Sequence, residues 1–135
     1  DFSLAAVQRA VSFASDAGAR ITFLHVEHAF PAVYCGEGAI MDASAPDFFH
    51  AQEERHAHQI LDAAEDIARQ AGVECSGLAL ISESPYEAIV KAAEQKACDL
   101  IFMASHGRSG IGHLLLSSVT EKVLRHTKIP VLVHR

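Results

Sequence analysis

Apolar positions follow two alternating rhythms along this chain, and the alternation predicts its elements. Ala6, Val7, Ala10, Val11 and Ala14 share one stripe at helical spacing across Ser3 to Ala17, and Gly18 is the natural stop. Arg20-Ile-Thr-Phe-Leu-His-Val26 follows as a short β-rich run. From residue 27 to about 50 the period is lost, and Pro31, Gly36, Gly38 and Pro46 predict a long loop. Helical spacing returns over Ala51 to Gln70, where Ile60, Leu61, Ala64, Ile67 and Ala68 recur before Gly72. Val73 to Ile81 reads as the next strand. Ser84-Pro85-Tyr86-Glu87 then opens a helix with Ser as cap, Pro at the first position and Glu three residues on, running to about Ala97. Asp99 to Ser105 is an apolar strand, Val119 to His126 a short helix, and Pro130 to Val133 the last strand.

Helices alternating with short, nearly all-apolar strands predict a parallel sheet covered on both faces, an α/β doubly wound fold in a single domain over residues 1–135. The chain opens on a helix, whereas right-handed crossovers in such sheets start from a strand. The expectation is therefore five strands, with a first strand of roughly six residues lying upstream of Asp1. That strand would sit mid-sheet, where strand order reverses and ligands bind.

Composition narrows the class. Half of the 135 residues are hydrophobic and 21% are charged, which excludes a disordered chain. No apolar run approaches the roughly 20 residues that cross a bilayer, and the N-terminus carries no signal-peptide pattern, so no membrane partner is expected. A formal net charge of −6 disfavours a nucleic-acid surface. Cys35, Cys75 and Cys98 are odd in number and lack metal-ligand spacing, which fits reduced thiols in a cytoplasmic protein.

The candidate chemistry lies in the C-terminal third. The strand Asp99–Ser105 empties into the small-residue segment His106-Gly-Arg-Ser-Gly-Ile-Gly112, and Ser118-Val-Thr-Glu121 reads as a capping box. Strand, glycine-containing loop and capped helix in that order suit an anionic group, because loop amides and the helix N-terminus both offer donors. Arg108, Lys122, Arg125 and Lys128 surround it. The segment is neither a Walker loop, lacking Gly-Lys-Ser/Thr, nor a dinucleotide fingerprint, whose glycines follow the first strand. Read without further context, it is equally an ordinary strand-to-helix connection.

The residues that carry this reading resemble the universal stress protein family over essentially the whole chain. The resemblance rests on Met103-Ala-Ser-His-Gly-Arg-Ser-Gly110, Glu121-Lys-Val-Leu-Arg-His126, Ile129-Pro-Val-Leu-Val133 and Leu24-His-Val26. It implies a Rossmann-like fold of the adenine nucleotide alpha hydrolase kind and a stress-response module that binds ATP or AMP, with or without Mg²⁺. Ala104, Ser105, His106, Gly107, Arg108, Ser109 and Gly110 would wrap the ribose and phosphates. Ser117, Ser118 and the amides of Val119 and Thr120 would hold the phosphate, and the backbone of Val26 would meet the adenine. The family's ribose-binding acid follows its first strand; Asp1 is one match, but the register of Ser3 to Ala10 places that acid upstream. The resemblance also implies a homodimer through the last strand, Ile129, Pro130, Val131, Leu132 and Val133, and a protein partner whose identity it does not give. Ala104 and Ser117 stand where the family's nucleotide binders have Gly. A Cβ there costs about 1 kcal/mol or more if the backbone needs positive φ. The alternative is a dimeric interaction module of the same family that binds no nucleotide.

Other constellations are weaker. His56 and His58 are two apart and face different ways on a helix, and no Cys or carboxylate spacing completes a set around His25 and His28, so no metal site is expected. His106 either donates to a ribose or phosphate oxygen or holds the loop; both readings stand. No Gly-x-Ser-x-Gly elbow and no paired carboxylates are present, so no catalytic residue is assigned and at most slow ATP hydrolysis is expected. The charged face of Ala51–Gln70 is either solvated or a partner surface. The 27–50 loop, with Phe30, Tyr34, Phe48 and Phe49, is a cover or a lid.

Overall fold

A computed structural model describes residues 4–28, 45–105 and 116–135, with the backbone alone considered at 28 and 45–50. Helix α1 (Leu4–Ala17) leads to strand β1 (Ile21–His28), helix α2 (Ala45–Gln70) to β2 (Cys75–Ser82), α3 (Pro85–Gln95) to β3 (Ile101–Ala104), and α4 (Ser118–His126) to β4 (Val131–His134). The alternation read from the sequence is therefore present. Helices α1 and α2 both stop at a glycine in the left-handed region, Gly18 at φ 65° and Gly72 at φ 71°. No side chain adopts that conformation cheaply.

Several boundaries differ from the sequence reading: β2 begins at Cys75 rather than Val73, β3 at Ile101 rather than Asp99, and three further ends have a physical reason. Helix α2 begins at Ala45, so the predicted loop to about 50 ends earlier. Proline breaks a helix in its interior but fits the first turn, whose amides have no intrahelical partner, and Pro46 lies there. The rest of that loop, 29–44, lies outside the described residues. Helix α3 ends at Gln95 rather than Ala97, because Ala97 itself takes the left-handed conformation at φ 52°. Its successor Cys98 returns an amide to the Ala93 carbonyl at 2.9 Å, closing the helix end as a glycine would. Strand β1 runs two residues beyond Val26, to His28.

Strand pairing departs from a single five-stranded sheet. Among the described residues β1 pairs with β2 and β3 with β4, both parallel, and no ladder joins the two pairs. Ile21 lies opposite Cys75 and Val26 opposite Leu80; Ile101 lies opposite Val131 and Ala104 opposite His134. Each pair has its own core. Val7, Val11 and Ala14 of α1 meet Phe23 and the α2 residues Leu61, Ala64 and Ala68 in the first. Val90 and Ala93 of α3 meet Ile101 and Val123 in the second, with Met103, Val119 and Val131 packed against them. Small residues bring the layers close. A Cβ on Gly77 would run into the Glu65 carboxylate of α2 and lie 3.4 Å from the Leu61 Cβ. Helices α1 and α3 link the halves, α1 reaching β3 and α3 reaching β1.

Candidate functional site

Parallel pairing fixes where the site can be. Helix α4 connects β3 to its parallel neighbour β4, so it must start at the C-terminal end of β3 and run back. That sets its first turn on the side of the sheet where β3 ends. Val119 of that turn and Met103 of β3 pack into the same core, and so does Tyr86 from the start of α3. Val26 is near the corresponding end of β1. The structure thus sets Ala104 and Ser105 at the C-terminal end of β3 and Ser117 to Thr120 at the start of α4, with Val26 near the end of β1 in the other strand pair. His106, Gly107, Arg108, Ser109 and Gly110 lie outside the described residues.

The backbone at the two non-glycine positions is ordinary. Ala104 closes β3, and Ser117 has φ −58° and ψ 150°. Neither has the positive φ that would make a Cβ costly, so the strain considered for these positions is absent. Ala104 is half-buried and Ser105 buried, its amide donating to the His134 carbonyl at 2.8 Å.

At the start of α4, the cap is one residue earlier than Ser118. Ser117 Oγ accepts a hydrogen bond from the Thr120 amide at 3.2 Å and lies 2.7 Å from Thr120 Oγ1. The Glu121 amide donates to the Ser117 carbonyl at 3.0 Å. Glu121 does not turn back as a capping-box acid; its carboxylate pairs with Arg125 at 2.6 Å. Thr120 is wholly buried, so its hydroxyl and amide serve the cap. Ser118 is exposed and Val119 half-buried, and as first-turn amides theirs have no intrahelical acceptor. Sequence reasoning assigned Ser118 to the role that Ser117 performs. The signal was present as Ser117-x-x-Thr120, but adjacent serines make two registers equally readable.

Two neighbouring groups were given no role in the sequence reading. The Tyr86 ring lies 4.8 Å from the His126 ring at a tilt of 43°, and Lys122 Nζ lies 5.6 Å from the Tyr86 ring centroid, tying the start of α3 to α4. Its hydroxyl donates to Glu87 at 3.0 Å, and that bond, with burial adding, holds the phenol above its usual range. His25 and Glu27 flank Val26, with Nε2 and Oε1 3.6 Å apart. Burial lowers the His25 pKa, Glu27 opposes the shift, and His56 reinforces it. Among the described residues no group of three or more His, Cys, Asp or Glu could hold a metal ion, and no helix is long and apolar enough to cross a membrane.

The model of the Universal stress protein family matches residues 1–135. The universal stress protein Slr1230 of Synechocystis sp. is 43% identical over 75 residues, 56% of this chain and 26% of that protein. A 49-residue match to the universal stress protein MJ0577 of Methanocaldococcus jannaschii likewise spans only 30% of that protein, so these sequence matches cover less than a third of either relative. The solved structure of MJ0577 aligns more broadly, at 28% identity and a TM-score of 0.70 over 98% of this chain and 89% of its own. A universal stress protein crystallised in complex with cAMP is also 28% identical, with a TM-score of 0.60 over 100% of this chain and 88% of its own.

Proposed function

The chain belongs to the universal stress protein family, and from that premise we propose that it binds an adenine nucleotide, ATP or AMP, at the edge where β3 hands over to α4. One observation carries the reading: Met103 near the end of β3 and Val119 in the first turn of α4 pack into one core. A 28%-identical relative crystallised with cAMP supports the ligand class. In this reading the exposed Ser118 hydroxyl and the Ser118 and Val119 amides donate to phosphate, the Val26 backbone meets the base, and Ala104 to Gly110 enclose the ribose. The nucleotide supplies the charge that the helix N-terminus favours. Mg²⁺ would accompany the ligand's own phosphates.

The proposal extends to the assembly. A fifth parallel strand between β1 and β3 would join the two pairs, and α1 and α3 already reach across from either pair. On the other side, β4 is half-buried throughout and pairs only with β3 among the described residues. An apolar edge of this kind needs cover, which a second copy supplies through Ile129 to Val133. The whole acts as a cytoplasmic regulatory module whose nucleotide occupancy alters a protein contact; Cys75 and Cys98 are free thiols, in keeping with a reducing compartment. Replacing Val131 and Val133 with Lys is expected to convert dimer to monomer in size-exclusion chromatography, and an unchanged dimer would move the interface elsewhere.

The first test needs no ligand chosen in advance. Protein purified without added nucleotide is heat-denatured and the released small molecules are identified by mass spectrometry. Near-stoichiometric AMP or ATP, lost in Gly107→Val, is the expected result. Protein that releases nothing and takes up no ATP in calorimetry supports the second reading, a dimeric interaction module without nucleotide. Ala104 and Ser117 in place of glycine favour that alternative.

A further inference from the structure

We infer that the Ser117 hydroxyl is an internal competitor for the phosphate end of this site, bound to a donor that an anionic ligand would otherwise take. The inference rests on the nucleotide reading above and adds its regulation. A helix start offers an anion the amides of its first turn, none of which has an intrahelical acceptor. In α4 those are Ser118, Val119 and Thr120. The last is already engaged by Ser117 Oγ at 3.2 Å, and the Thr120 hydroxyl by the same oxygen at 2.7 Å. Thr120 is wholly buried, so water is a poor substitute when the cap opens. A glycine at this position has no atom that reaches either group. Serine therefore turns a three-amide cradle into a two-amide one unless the ligand displaces the hydroxyl.

Displacement is feasible because a phosphate oxygen accepts a stronger, charge-assisted bond than a neutral hydroxyl does. It has a structural consequence, because the first turn also carries Val119, which packs into the core shared with Tyr86 and Met103. Ligand occupancy and the order of the first turn of α4 are thus coupled through one hydroxyl. Ser117 is a positioning residue for the helix and a selector against weakly held anions.

The test compares the parent protein with Ser117→Gly and Ser117→Ala, using ATP as the probe. Calorimetry is expected to give Ser117→Gly roughly tenfold tighter binding, the worth of one hydrogen bond to a charged group, with Ser117→Ala shifted the same way. Amide hydrogen exchange supplies a second readout. The nucleotide-free parent should protect the Thr120 amide, Ser117→Ala should expose it, and ATP should restore protection. If the parent binds ATP and both variants bind equally or more weakly, the hydroxyl is a ligand contact rather than a competitor; the inference falls while the nucleotide reading stands. If the parent and both variants all fail to bind, the nucleotide reading falls and takes the inference with it. Circular dichroism of each variant guards against misfolding, and Ser118→Ala, which leaves the cap intact, should only weaken binding.

Discussion

The two halves of the molecule punctuate their helices differently. In the first half, α1 and α2 stop at Gly18 and Gly72, both at left-handed φ with no atom within 4 Å of an added Cβ. In the second half, side chains stand at three places where glycine is the expected residue: Ala97, left-handed at the end of α3, and Ala104 and Ser117, where the family's nucleotide binders have glycine. The same missing glycine acts through different physics at each place. At Ala97 the backbone pays, because φ is 52°. At Ser117 the backbone is relaxed and the effect is chemical, since the added hydroxyl takes a donor. Ala104 sits in ordinary strand geometry, and its methyl group matters only to whatever approaches that edge. A glycine lost from a motif therefore says little until φ and the neighbouring donors are known.

The contrast can be broken most forcefully in the first half. Open space around Gly18 and Gly72 means that only backbone strain opposes a side chain there, so the double variant Gly18→Val/Gly72→Val should lose about 3 kcal/mol in urea denaturation. A loss below about 1 kcal/mol would show that both turns relax to negative φ, and the two halves would no longer differ. The reverse change in the second half is smaller. Ala97→Gly removes a left-handed penalty of about 1–2 kcal/mol but gives the unfolded chain more freedom, leaving a net gain of about 0.5 kcal/mol. A rise in Tm of a few degrees would express it. A fall would mean that Ala97 is held by packing rather than tolerated.

The start of α3 sharpens the lesson about capping. Ser84-Pro85-Tyr86-Glu87 and Ser118-Val-Thr-Glu121 look alike as signals, yet neither forms the reciprocal box. Ser84 occupies the cap position of α3 without a side-chain bond to a first-turn amide, and Glu87 receives the Tyr86 hydroxyl rather than turning back to the cap. Ser82 serves the Ser84 backbone, its hydroxyl donating to the carbonyl and accepting from the amide at 3.1 Å each. Around α4, Ser117 rather than Ser118 caps. Sequence identified that a helix begins in each place, but the residue that closes it depended on which acceptor the packed helix left within reach.

By itself the sequence determined the order of helices and strands, the parallel connections and the position of the strand-to-helix edge. These are written in local periods of 2 and 3.6 residues and in glycines that tolerate left-handed turns, so a single pass along the chain recovers them. The family pattern was legible for the same reason, because its residues lie in contiguous blocks. Only the tertiary structure decided that α2 starts at Ala45, that Ala97 bends the end of α3, that the strands pair two by two among the described residues, and that Ser117 engages Thr120. Those outcomes hinge on shifts of one or two residues and on partners distant in sequence. The buried positions of Val123 and Thr120 set the roll of α4, and that roll selects between two adjacent serines that no local pattern can distinguish.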